Sequence, residues 1–217
     1  FQGINSSDAS EYQCAFLKAP LDWGNPDGDQ ITLALAIHRS GAKDAPALFV
    51  NPGGPGESGI DLVSRADKSF SKDVQDKYDI IGFDPRGVGS STPVDCIDNR
   101  ELGKILDSDI DTSTEAGRKA RKAQARQIAK GCKDKSGELL AHVGTESAAR
   151  DMDVLRGLVG DKKLNYLGFS YGTELGGMYA DLFPKKVGRM VLDGAVNTQL
   201  GNARLLYEGT LSVDESF

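Results

Sequence analysis

The stretch "LNYLGFSYGTELGGMYADLF", residues 164 to 183, constrains the fold of this chain more than any other. It opens with a short apolar run of the kind that forms a central strand covered on both faces, and it closes with a pattern that suits a helix. Between them Gly168-Phe169-Ser170-Tyr171-Gly172 reads G-x-S-x-G. That pattern makes a sharp strand-to-helix turn in which the serine is held strained, with its hydroxyl exposed. The glycines are needed because the chain passes so close to its neighbours there that a Cβ would clash. As a bare pattern it is weak, and a Gly-Ser turn capping a helix is the plain alternative. The strand before it and the helix after it favour a nucleophilic role for Ser170.

The rest of the chain repeats the alternation. "ALFV" (47–50), "YDIIGFD" (78–84), "LNYLGF" (164–169) and "GRMVLD" (188–193) are short, apolar and bounded by Gly, Pro or Asp, as buried parallel strands are. "ITLALAI" (31–37) puts Ile31, Leu33, Leu35 and Ile37 on one face at period two and predicts a half-buried strand, announced by the Asp27-Gly28 turn. Helical stretches fall at about 58–66, 146–159 and 171–183. Strands alternating with helices predict an α/β fold with a doubly wound, mostly parallel sheet. From about 95 to 140 the alternation stops, and a helix rich in Ala, Lys and Arg replaces it. A solvated face explains that charge run better than a nucleic-acid arm does.

Composition narrows the partners. At 217 residues, 39 % of them hydrophobic, the chain can bury one sizeable core, so a single domain is the default. The net charge of -6 argues against nucleic acid and gives no reason to expect an anionic membrane surface. No apolar stretch approaches the roughly 20 residues that span a bilayer. A peptide or small-molecule substrate remains. Phe1-Gln2-Gly3 reads as the scar of a cleaved tag, so the N-terminus says nothing about targeting.

Two further motifs bear on chemistry. "NPGGPGESG" (51–59) directly follows a predicted strand, where a glycine loop can supply backbone N–H donors to an oxyanion. The candidate oxyanion donors are the N–H groups of Gly54 and of Tyr171, the residue after the serine. The loop lacks the Lys-Ser/Thr ending of a P-loop and the G-x-G-x-x-G spacing of a dinucleotide site. In "YDIIGFDPRGVGSS" (78–91), Asp84 could be a catalytic carboxylate, but an Asp84–Arg86 pair bracing the loop is the stronger expectation. Asp193, at a strand end after the serine, is the better candidate acid. His38 and His142 are the chain's two histidines, and both lie upstream of Ser170. Cys14, Cys96 and Cys132 are spaced too widely for a zinc ribbon or a CxxC motif. Cys96 and Cys132 flank the 95–140 excursion and could close it by a disulfide in an exported protein, leaving Cys14 odd.

From "CAFLKAPLDW" (14–23) through "NPGGPGESG", "YDIIGFDPRGVGSS" and "LNYLGFSYGTELGG" to "VGRMVLDGAV" (187–196), the chain resembles the α/β-hydrolase serine peptidases of the prolyl and tripeptidyl aminopeptidase group, above all the secreted bacterial tripeptidyl aminopeptidases. Asn51-Pro52 before the glycines matches the tripeptidyl branch, whereas Glu57 stands where a further glycine is common. The resemblance implies an α/β-hydrolase fold that is incomplete here, with 1–217 the N-terminal part of the catalytic domain and a lid and C-terminal part beyond it. It implies the order Ser, Asp, His, with acid and base supplied by a separate C-terminal fragment of the same precursor. It also implies a secreted or cell-envelope aminopeptidase that releases short peptides from substrate N-termini through an acyl-enzyme, without metal or organic cofactor. An esterase or lipase, or a binding module that has lost catalysis, would keep the same motifs.

Overall fold

The computed structural model describes residues 11–200 together with Arg204 and Tyr207; Phe1 to Gly3 lie outside them. The strands are Tyr12–Pro20 (β1), Gln30–His38 (β2), Ala47–Asn51 (β3), Asp79–Asp84 (β4), Leu164–Phe169 (β5) and Val187–Asp193 (β6). They form one sheet in the order β1-β2-β4-β3-β5-β6. β4, β3, β5 and β6 run parallel, as their short apolar sequences predict, while β1 and β2 form an antiparallel hairpin attached through β2 to β4.

Helices cover both faces. Short helices Gly59–Val63 (α1), Ala66–Ser69 (α2) and Lys72–Gln75 (α3) follow β3, and Thr145–Leu158 (α6) and Tyr171–Leu182 (α7) flank β5. On one face Phe49, Phe83, Ile81 and Tyr166 pack with Met152, Leu155, Leu175 and Tyr179 of α6 and α7. On the other, Ala34, Ala36, Val50 and Ile80 pack with Ile60, Val63 and Phe70. β2 is therefore not half-buried as its alternation suggests. The residues between its large ones are Thr32, Ala34 and Ala36, and the alanine face is covered because α1 and α2 lie over it. The approach there is close: a Cβ on Gly82 of β4 would meet the Gly59 carbonyl oxygen at 2.0 Å. The helix predicted at 58–66 is two pieces, with Ser64 closing α1 and Arg65 opening α2.

The excursion between β4 and α6 carries Asn99–Leu106 (α4), Glu115–Ser136 (α5) and a 3₁₀ turn at Gly137–Ala141. Neither α4 nor α5 has a buried residue, which fits the solvated-face reading of the charge run. A Cys96–Cys132 disulfide ties the start of the excursion to the end of α5, and Cys14 is a free, exposed thiol on β1.

Arg86 does not pair with Asp84. It makes a bidentate ion pair with Asp151 of α6, at 2.7 and 2.6 Å, and both side chains are fully buried. Its remaining donors reach the carbonyls of Pro20, Leu21 and His142, and Trp23 donates to Asp151. Burial pushes the Asp151 carboxyl up, and the bonds from Arg86 and Trp23 oppose that shift. One guanidinium thus joins the end of β1, the loop after β4 and the entry to α6. Asp84 braces a loop by another route, accepting from Ser58 Oγ at 2.6 Å and from the Ser90 N–H at 2.8 Å.

Candidate active site

The parallel strands β3, β4, β5 and β6 all end on one side of the sheet, the side on which open α/β folds bind their ligands. Ser170 follows β5 directly, with φ 51° and ψ -121°, and α7 starts at the next residue. A non-glycine residue with that backbone is strained and persists only where its surroundings hold it. Here they do. The Ser170 N–H donates to the Asp193 carbonyl at the end of β6 (2.8 Å), and the Ser170 carbonyl accepts from the N–H and hydroxyl of Thr173 at 2.8 and 2.7 Å. The Thr173 hydroxyl also accepts from the Val196 N–H, so the segment after β6 is fastened to the same turn. The Ser170 residue is exposed.

The flanking glycines are required by their neighbours. A Cβ at Gly168 would lie 2.4 Å from the Gly172 carbonyl oxygen, and one at Gly172 would lie 2.9 Å from the Asn51 carbonyl oxygen. Burial pushes the Tyr166 phenol pKa up, and its O–H donates to that same Gly172 carbonyl. The sequence reading of the elbow as a place of backbone crowding therefore matches the geometry.

The glycine loop after β3 leans on the elbow. Asn51, the last residue of β3, sits in register with Gly168. Gly53 and Gly54 both have φ of 102°, and the Gly54–Pro55 peptide is cis. A Cβ on Gly53 would fall 3.1 Å from Ser170 Cβ and 3.3 Å from the Tyr171 nitrogen. The Gly53 N–H is taken by the Asn51 side-chain oxygen at 3.0 Å. Among the described residues the N–H groups of Gly54 and Tyr171 have no such partner, which leaves both able to donate to a ligand. The structure brings together Ser170, the glycine loop and the start of α7. From sequence Asn51 stands out only as part of the Asn51-Pro52 pair of the tripeptidyl branch, and its buried side chain at this turn carries no separate signal.

The two histidines have other neighbours. His38 ends β2 opposite Ile80, toward the start of β4, and so lies at the other end of the sheet from the strand termini. It is buried against the Tyr12 ring, with Glu11 at 3.7 Å. The His142 ring faces Asp22 at 3.8 Å. No hydrogen bond to the Ser170 hydroxyl occurs among the described residues. Asp193 is exposed, and it is its carbonyl, not its carboxylate, that meets the elbow.

Comparison with known proteins agrees with this geometry. Residues 46–213 match the family described as the alpha/beta hydrolase fold. The chain is 42 % identical over 210 residues to the tripeptidyl aminopeptidase of Streptomyces lividans, covering 94 % of this chain and 39 % of that protein. It is 42 % identical over 187 residues to the serine protease Hip1 of Mycobacterium tuberculosis (85 % of this chain, 36 % of that protein). It is 40 % identical over 196 residues to carboxylesterase B of the same species (89 % and 38 %). The chain thus spans less than two-fifths of the length of these relatives. Among solved structures, a probable hydrolytic enzyme from Pseudomonas aeruginosa superposes with a TM-score of 0.50 at 15 % identity, over 83 % of this chain and 41 % of that one, which speaks for the fold. With a strained serine between β5 and α7, a glycine loop pressed against it, and a family match over residues 46–213, the chain belongs to the α/β-hydrolase fold family.

Proposed function

We propose that this chain carries the nucleophile and oxyanion hole of an exported serine aminopeptidase that releases short peptides from substrate N-termini. Ser170 Oγ attacks the carbonyl carbon of the scissile bond and gives its proton to a histidine. The N–H groups of Gly54 and Tyr171 hold the oxygen as it becomes negative. The histidine then protonates the leaving amine, and water attacks the acyl-enzyme and restores Ser170. Acid and base come from a separate C-terminal fragment of the same precursor. Support for that division is that His38 lies at the opposite end of the sheet and that neither histidine of residues 1–217 hydrogen-bonds Ser170 among the described residues. The Cys96–Cys132 disulfide supports export, since such bonds persist in oxidising compartments.

The observation that carries the reading is the backbone of Ser170, a strained conformation of the kind that clusters at active sites, at an exposed residue between β5 and α7. The name of the Streptomyces relative points to tripeptide release. An esterase acting through the same residues is the second reading, favoured by the similarity to carboxylesterase B.

The test is fluorophosphonate treatment of the full-length protein, followed by denaturation and mass spectrometry. Label on the Ser170 peptide, with a second histidine-bearing polypeptide present, is the expected result. Ser170→Ala should remove the label and lower kcat by about 10⁵–10⁶-fold. Absence of label on the wild type would sink the proposal. Turnover of a short-chain p-nitrophenyl ester in preference to a tripeptidyl p-nitroanilide would replace the peptidase by the esterase.

A further inference from the structure

Asn51 is only 1 % exposed, yet it closes a strand whose other buried residues are apolar. Its side-chain oxygen accepts the Gly53 N–H at 3.0 Å, which fixes the direction of the amide. The Nδ2 group is then left buried with no hydrogen-bond partner among the described residues. An unsatisfied buried donor costs stability, and an apolar side chain of similar size would satisfy that count only by leaving the buried Gly53 N–H without its acceptor. What the side chain contributes is therefore the work of its oxygen.

Its position shows what that is. The Asn51 backbone is in register with Gly168, and its carbonyl and side-chain oxygens would lie 2.9 and 3.0 Å from a Cβ on Gly172. The same residue thus touches the elbow on one side and the glycine loop on the other. By capturing the Gly53 N–H it turns the following peptide and leaves the Gly54 N–H as the free donor. An Asn side chain bonded to the N–H two residues on is a turn device in its own right.

We propose that Asn51 is a positioning residue that sets the Gly54 N–H against the Tyr171 N–H and so fixes the spacing of the two oxyanion donors. The assignment rests on the reading of Ser170, Gly54 and Tyr171 given above. It identifies no contact between Asn51 and substrate, since the side chain is enclosed. The acceptor oxygen is the working group, and the amide nitrogen is a by-product of carrying it.

The experiment uses the full-length protein and whichever of the tripeptidyl p-nitroanilide and the p-nitrophenyl ester the wild type turns over. Asn51→Leu and Asn51→Ala remove the acceptor, while Asn51→Asp and Asn51→Ser keep one. The acceptor-free variants should lose about 10–100-fold in kcat with KM within about threefold, as misplaced transition-state donors do. The acceptor-bearing variants should recover most of that loss. If Asn51→Leu fails to fold, the Ala and Ser pair decides by the same comparison. Full kcat in a folded acceptor-free variant, or an equal loss in all four, overturns the assignment. A wild type that neither turns over substrate nor labels at Ser170 overturns the functional reading itself, and this is separable because no Asn51 variant is involved.

Discussion

The turn at Ser170 and the excursion between β4 and α6 differ in how much of each is packed. At the turn, backbone meets backbone: Cβ atoms on Gly53, Gly168 and Gly172 would fall 2.5, 2.4 and 2.9 Å from the carbonyl oxygens of Phe169, Gly172 and Asn51. In the excursion, α4 and α5 have no buried residue and Leu106 is 74 % exposed, and the fastening is at a few joints: the Cys96–Cys132 disulfide, the Lys135–Asp95 ion pair, and close backbone approaches at Gly117 and Gly131, where a Cβ would lie 1.8 and 2.1 Å from the Asp111 and Cys96 carbonyl oxygens. A candidate site built from crowded backbone has one geometry. A helical flap with no core of its own is held at such joints rather than by a packed face. The difference teaches where to look for precision in this molecule.

That contrast can be broken by substitution. The largest stability effect should come from Arg86→Met or Asp151→Asn, because removing one partner of a buried ion pair leaves the other uncompensated, at a cost of about 3–5 kcal/mol. Chemical unfolding would measure it, and a loss under about 1 kcal/mol would show that the pair is not the joint between hairpin, β4 loop and α6. Gly168→Ala comes next. Its Cβ has no room, so about 1–3 kcal/mol is expected, with a midpoint lower by roughly 2–4 °C for each kcal/mol. A wild-type midpoint would deny the crowding.

A smaller effect is expected at Asp153, where α6 meets α7. Burial raises its pKa, but bonds from Lys186, Arg156 and Tyr179 outweigh that and hold the carboxyl below its usual range. A folded-state pKa below the unfolded one gives stability that is complete above about pH 4 and is lost as pH falls through the folded value. Asp153→Asn should therefore cost about 1–2 kcal/mol near neutrality, and the difference from wild type should shrink as pH drops below about 4. A constant difference across that range would assign the loss to packing rather than charge. The smallest change sharpens the comparison from the other side. Gly103 lies inside α4, and a methyl group added there would have nothing within 4 Å. Gly103→Ala should stabilise by about 0.5–1 kcal/mol. The same substitution would then be harmful in the turn and helpful in the excursion, as thermal melts of the two variants would show.

The sequence alone determined the parallel strands, the serine between β5 and α7, the glycine loop before α1 and the solvated character of α5. These are local signals: a short apolar run, glycines at fixed spacing, a charge run without an apolar stripe. It left β1 unread, because an edge strand with mostly exposed residues carries little apolar periodicity. It read β2 as half-buried, since alanines opposite the large residues do not announce that a helix lies close above them.

Only the tertiary structure decided which groups meet. Arg86 passes over Asp84, two residues away, for Asp151, which is 65 residues distant, because the side chain points between the hairpin and α6 rather than back along its own strand. The Gly53 loop reaches Ser170 because β3 and β5 are neighbours in the sheet although more than a hundred residues separate them in the chain. Asn51 acquires its place for the same reason: the sequence shows an asparagine before a proline, and the register with Gly168 brings it beside the serine. Local chemistry names the candidates, and strand pairing across long separations chooses their partners, since neighbour identity is not encoded in a residue's own surroundings in sequence.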